Sequence, residues 1–306
     1  MAGTAAAVPV RALTGAAFAT LLLVALMMGA NHVAARIAFN HGVDVATAVV
    51  FRSLVTAAVV VLILAVQGAR PRFTARHKRM LPAIGLLVGV QSLCLYSSVA
   101  RLPVALALLA FNTYPLWTAL WAWAIYKHRP ERAVVLAMPM ILVGLALALD
   151  VFGAASGLGA GGQWARIGAG VAFALAAAAS FGMALVVTQH EVADIDGRVR
   201  TASTMAIAGL VALGMVATRG GFHLPTAAAG WGGLLALTFL YGTAITILFT
   251  VLPRLGVVGN SAIMNVEPVF ALVLAWMILG QAIAPVQVLG ALVVVGAVMW
   301  LGTRKR

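Results

Sequence analysis

Glu267 is the only carboxylate set well inside an apolar stretch of this chain, and Pro268 follows it directly. Proline cannot donate the helical hydrogen bond, so in a helix the carbonyl of Met264 is left open beside that carboxylate. Such a pair can bind an ammonium group, carry a proton or meet a buried cation; it can equally hold a neighbouring helix by a structural hydrogen bond. Asn265 lies three residues before Pro268, and Asn112 lies three before Pro115. An Asn there can cross-link helices or satisfy the carbonyl that proline frees. Pro115 and Pro268 are therefore expected to act as helix-breaking hinges.

Other polar residues interrupt apolar stretches. Asn31 and His32 break the first, with Arg36 one turn later, where it can snorkel to an interface. Gln91, Ser92, Tyr96, Ser97 and Ser98 give one segment a polar side, and Tyr241, Thr243 and Thr246 do the same for another. Tyr114, Trp117 and Trp121 form an aromatic stripe at helical spacing. Facing lipid it would be an anchor; facing a cavity, a stacking surface. The candidate substrate pathway is thus Asn31, His32, Gln91, Tyr96, Asn112, Tyr114, Trp117, Tyr241, Asn265 and Glu267.

The elements that carry them are membrane helices. Of 306 residues, 63% are hydrophobic and 9% charged, against about a quarter charged in soluble domains. A helix crosses the roughly 30 Å hydrocarbon core with about 20 apolar residues. Ten such spans are predicted, at 12–38, 44–66, 80–100, 103–125, 131–150, 165–188, 202–218, 230–252, 257–279 and 283–302. The first is an apolar run longer than a signal-peptide core and is expected to remain as a span. Fifteen Lys and Arg fall in segments on the side of both termini and three in the opposite loops, which places both termini in the cytoplasm. The net charge of +13 follows this parity rather than forming a nucleic-acid surface. The single cysteine, Cys94, excludes an intramolecular disulfide.

The chain also repeats itself. Shifted by 153 residues without a gap, 81–125 matches 234–278 at thirteen of forty-five positions, among them Arg101/Arg254, Asn112/Asn265, Pro115/Pro268 and Trp123/Trp276. Five spans per half is odd, so the second half enters the membrane from the opposite side. Inverted repeats are a recurrent plan of secondary transporters, with the site near the midplane where the halves meet. The expected organisation is a five-helix repeat over 1–150, a Gly-rich external linker over 151–164 and an inverted five-helix repeat over 165–306.

Gly157, Gly159 and Gly162 spell G-x-G-x-x-G, but a membrane helix precedes them where a dinucleotide site needs a strand. Gly168, Ala172, Ala176, Ser180 and Ala184 form a small-residue stripe suited to close helix packing. His190, Glu191 and Asp194 begin like a zinc motif but lack the second His. No metal, cofactor or enzymatic constellation is predicted, since neither G-x-S-x-G nor H-E-x-x-H occurs.

Met28 to Phe39 (MGANHVAARIAF), Phe51 to Leu54 (FRSL), Phe111 to Thr118 (FNTYPLWT) and Val266 to Phe270 (VEPVF) resemble the EamA-type drug/metabolite transporters over essentially the whole chain. The resemblance implies ten helices, alternating access around a central cavity and export from the cytoplasm. Within the family the chain looks like bacterial inner-membrane exporters of aromatic and other amino acids, acting as monomer or homodimer. Exporters of lipophilic drugs are the alternative. Members often end spans 4 and 9 with Gly-Glu, where this chain has Tyr126-Lys127 and Gly280-Gln281.

Overall fold

The computed structural model describes residues 15–69, 71–130, 132–250, 266–281 and 284–303. Eleven helices account for the regular structure among them: α1 (Gly15–Asn40), α2 (Val45–Val66), α3 (Ala75–Val99), α4 (Val104–Phe111), α5 (Tyr114–Tyr126), α6 (Arg132–Ala148), α7 (Gly159–Glu191), α8 (Gly197–Thr218), α9 (Ala228–Thr250), α10 (Glu267–Leu279) and α11 (Pro285–Thr303). Seven segments are long and apolar enough to cross a bilayer, Val104–Tyr126 being one that contains both α4 and α5. Three shorter apolar helices, Val134–Ala148, Glu267–Leu279 and Pro285–Trp300, complete the described set.

The helices pair across the two halves in a pattern that exchange of the halves leaves unchanged. α1 packs on α9 as α3 packs on α7, and α2 meets α9 as α3 meets α8. α1 meets α10 as α7 meets α4 and α5, while α2 with α8 and α6 with α11 map onto themselves. The offset of 153 extends to fine geometry. α5 and α10 are each 13 residues long, and they end on residues 153 apart, Lys127 (φ 59°) and Gly280 (φ 63°), both left-handed.

Three helices start five or six residues earlier than the sequence predicts, among them α8, at Gly197 rather than 202, where the Asp196 side chain accepts from the Arg198 N–H. α3 begins at Ala75 rather than 80, because Thr74 and His77 form a capping box that satisfies two otherwise orphaned N–H groups. α7 begins at Gly159, so the linker over 151–164 is shorter than expected. The cause is Gln163: its buried amide donates to the Leu149 carbonyl (2.9 Å) and anchors the first turn. The remaining linker is folded around Asp150, whose carboxylate accepts the N–H groups of Ala155 (3.0 Å) and Ser156 (2.8 Å). These bonds, that of Ala155 foremost, hold the Asp150 carboxyl below the usual carboxylate range.

The small-residue stripe of α7 also needs correction. Ala172 and Ala176 are exposed, and the buried row is Gly170, Ala174, Ala178 and Gly182, two residues out of step. A Cβ at Gly182 would lie 2.8 Å from the Thr118 nitrogen and 3.0 Å from the Trp117 Cβ, so glycine is what lets α7 meet α5. At 33 residues α7 is about 50 Å long, well beyond the hydrocarbon thickness.

Candidate functional site

Both proline segments become helix starts. α4 ends at Phe111, Asn112 and Thr113 make the junction, and α5 opens with Pro115 in its first turn. α10 opens at Glu267 with Pro268 in the same place. Proline is tolerated there because the first-turn N–H groups have no helical partner, and the carboxylate of Glu267 meets the positive end of the α10 dipole. Asn265 and Met264 lie outside the described residues.

Glu267 faces His32, with Oε1 3.3 Å from Nε2. The contact joins α10 to α1, and Gly29, one turn before His32, makes room for it. A Cβ at Gly29 would stand 3.0 Å from both the Ala271 nitrogen and the Glu267 carbonyl. His32 is 2% exposed, and its ring meets Tyr96 edge-on at 5.8 Å. The Tyr96 hydroxyl donates to Asn31 Oδ1 at 2.8 Å. Gln91 accepts from Ser92 (3.3 Å), and Tyr241, also buried, donates weakly to the Met205 sulfur (3.6 Å). Asn31, His32, Tyr96 and Glu267 are therefore one connected group, to which Arg52 joins Ser92 with Gln91, and Tyr241.

At its centre stands a residue absent from the candidate substrate pathway. Arg52 is 2% exposed, with its guanidinium carbon 4.0 Å from the Tyr241 ring centroid and 4.6 Å from that of Tyr96. Its Nη2 donates to Ser92 Oγ at 2.6 Å. Placing Arg at a helix centre costs about 2.5–3.5 kcal/mol on insertion scales, and two desolvated cation–π faces, each on the order of 2 kcal/mol, are of the size needed to offset it. The signal was available, because Arg52 interrupts the apolar run of α2 as plainly as Glu267 interrupts its own.

The other candidates divide. Tyr114 packs with Phe111 (5.7 Å) and Phe181 (5.2 Å between centroids), and it lies within electrostatic reach of Glu267. Trp117 lies against Gly182, and Trp121 Nε1 donates to the Ala179 carbonyl at 2.9 Å. All three residues of the aromatic stripe thus touch α7. Asn112 is buried at the α4–α5 junction, where its backbone N–H donates to Leu108. Arg36 Nη1 donates to the carbonyls of Val99 (2.6 Å) and Leu102 (3.1 Å), closing the C-terminus of α3.

At one end of the bundle the apparent zinc motif disperses. Asp194 bridges to His77 (3.1 Å) and Arg76 (3.3 Å), Glu191 accepts from Tyr126 (2.9 Å), and His190 stacks on Tyr126 at 3.8 Å. Desolvation pushes the Asp194 carboxyl up, but its own N–H, His77 and Arg76 together bring it below the ordinary range. Asp196 caps α8 and is held low first by Arg198, at 2.5 Å.

The sequence profile of the EamA-like transporter family matches this chain twice, over residues 15–149 and 168–303. The chain belongs to that family. Its members are membrane transporters of small molecules, and the twofold match agrees with the exchange-symmetric helix pairing. Among curated proteins none matches this chain. Fifteen solved chains do; one, titled "Crystal structure of protein", has a TM-score of 0.58 and 19% identity over 92% of this chain and 95% of its own length. At that identity the likeness speaks for the fold alone.

Proposed function

We propose that this EamA-family chain exports amino acids, including aromatic ones, across a bacterial inner membrane by alternating access. The observation that carries the reading is the Glu267–His32 contact at the start of α10, joining the two halves beside the Tyr114–Phe111–Phe181 aromatic group. A carboxylate at a helix break offers an ammonium partner, and the neighbouring rings offer a surface for an apolar side chain. Opening and closing of the halves on each other would make and break this contact. In this reading the chain has ten spans as two inverted repeats, 1–150 and 165–306, with cytoplasmic termini, no catalytic activity and no cofactor. The Asp194–His77–Arg76 bridge then lies at the cytoplasmic end.

A second reading is favoured by one feature. The cavity of about 60 Å³ between α4, α10 and α11 is lined by Leu106, Leu109, Pro268, Val269 and Leu272, with Gln287 as its polar member. Such a wall suits a lipophilic substrate. Uptake of labelled phenylalanine by liposomes holding the purified protein separates the two, with Glu267→Gln beside the wild type. Loss of saturable uptake in E267Q supports the ammonium role; unchanged uptake removes Glu267 from the site.

A further inference from the structure

Six buried side-chain polar atoms among the described residues have no hydrogen-bond partner, and three of them surround one ring. Asn31 Nδ2, His32 Nδ1 and Arg52 Nε all belong to residues in contact with Tyr96. Orphaned buried polar groups are costly, and each calls for a cause. The chemistry of these three is one-sided. An amide NH₂ and a guanidinium N–H can only donate, and the imidazole Nδ1 donates in one tautomer. Three acceptors of this group are already engaged: Asn31 Oδ1 holds the Tyr96 hydroxyl, Ser92 Oγ holds Arg52 Nη2, and Glu267 Oε1 is on His32. None of the ion pairs among the described residues includes Arg52.

The donors of the guanidinium narrow the ligand further. Its carbon sits over the Tyr96 and Tyr241 rings and Nη2 donates to Ser92, while the edge carrying Nε–H has no partner. That edge is where a carboxylate docks through two parallel hydrogen bonds, whereas a second ring or a cation finds nothing there.

We propose that Arg52, supported by Asn31 and the two tyrosine faces, binds the carboxylate of the transported substrate and selects for acids over their neutral derivatives. The inference rests on the amino-acid reading and refines it: Glu267 takes the ammonium end, and the carboxylate falls to Arg52. Tyr96 and Tyr241 cover the guanidinium while no substrate is present, and their edges move with the halves when one enters.

The test uses the purified chain in liposomes and counterflow of labelled phenylalanine, with phenylalanine and phenylalaninamide as competitors. Wild-type protein should prefer the acid by about ten- to a hundredfold, the worth of a charge-assisted bond. Arg52→Gln should bring the two competitors to within about threefold, and Arg52→Lys, which keeps the charge but has no planar edge, should fall between. A folded R52Q that retains the wild-type preference overturns the proposal. So does a wild type that does not distinguish acid from amide, a result that needs no variant. If wild-type protein moves no amino acid, the amino-acid reading falls by itself. Thermal stabilisation by phenylpropionate over phenylpropionamide then decides Arg52: preference in the wild type supports the assignment, and no preference for the acid overturns it.

Discussion

Lys127 and Gly280 close equivalent helices of the two halves in the same left-handed conformation, yet only one of them is glycine. A side chain in that region costs about 1–2 kcal/mol, and glycine pays about 0.5–1 kcal/mol in chain entropy. Lys127 gains little in return, because its ammonium reaches only the exposed Ala124 carbonyl, at 3.1 Å. Lys127→Gly should therefore stabilise the protein by about 0.5–1 kcal/mol. Gly280→Ala should cost about 1 kcal/mol by the same argument reversed. Reversible unfolding in mixed micelles, titrated with sodium dodecyl sulfate, measures both. Shifts of opposite sign support the equivalence of the two caps. If both variants destabilise, or neither moves the midpoint, the backbone argument fails, and with it the claim that the repeat reaches this level of detail.

Glycine at the α1–α9 contact should behave differently from glycine facing open space. A Cβ at Gly233 would meet the Ala38 nitrogen at 2.7 Å and the Ala34 carbonyl at 2.8 Å, so Gly233→Ala should cost about 1–3 kcal/mol; Gly214, with nothing within 4 Å, should gain up to about 1 kcal/mol as Ala. The same micelle titration checks both, and equal effects would contradict the close packing. Asp150, held low by the linker N–H groups, contributes its linker bonds fully above the ordinary carboxylate value of about 3.9 and loses them as pH falls through its lower folded value. Proteolysis at the exposed Phe152 should therefore be slow at pH 5, rise below about pH 4, and in Asp150→Ala already be fast at neutral pH.

Much of this architecture is legible in the sequence because it rests on residues that act locally. Pro115 and Pro268 mark the helix starts, and the offset that pairs Asn112 with Asn265 runs on to the Lys127 and Gly280 caps. Trp123 and Trp276, also paired by it, are both exposed. Facing is harder to read. In an Ala-rich helix such as α7 small residues recur every fourth position on more than one face, so only the partners Trp117 and Leu102 identify the Gly170–Gly182 row as the packed one. The same holds for the site. His32 and Glu267 are far apart in the chain, and nothing in their own neighbourhoods announces that they meet. Arg52 could be seen as a buried charge, but its contacts with the Tyr96 and Tyr241 rings depend on helices from both halves. Gln163 likewise starts α7 early through a bond to the end of α6, a contact that spacing does not encode.

The account's central claim is that this chain moves amino acids through a site containing Glu267. The direct measurement is uptake of labelled phenylalanine and tryptophan into liposomes containing the purified protein, compared with empty liposomes, with and without an imposed pH gradient. The account predicts saturable movement competed by other amino acids and abolished in E267Q, and sensitivity to the gradient would add a proton to the transport step. No movement above empty liposomes, with lipophilic cations carried instead, would contradict it.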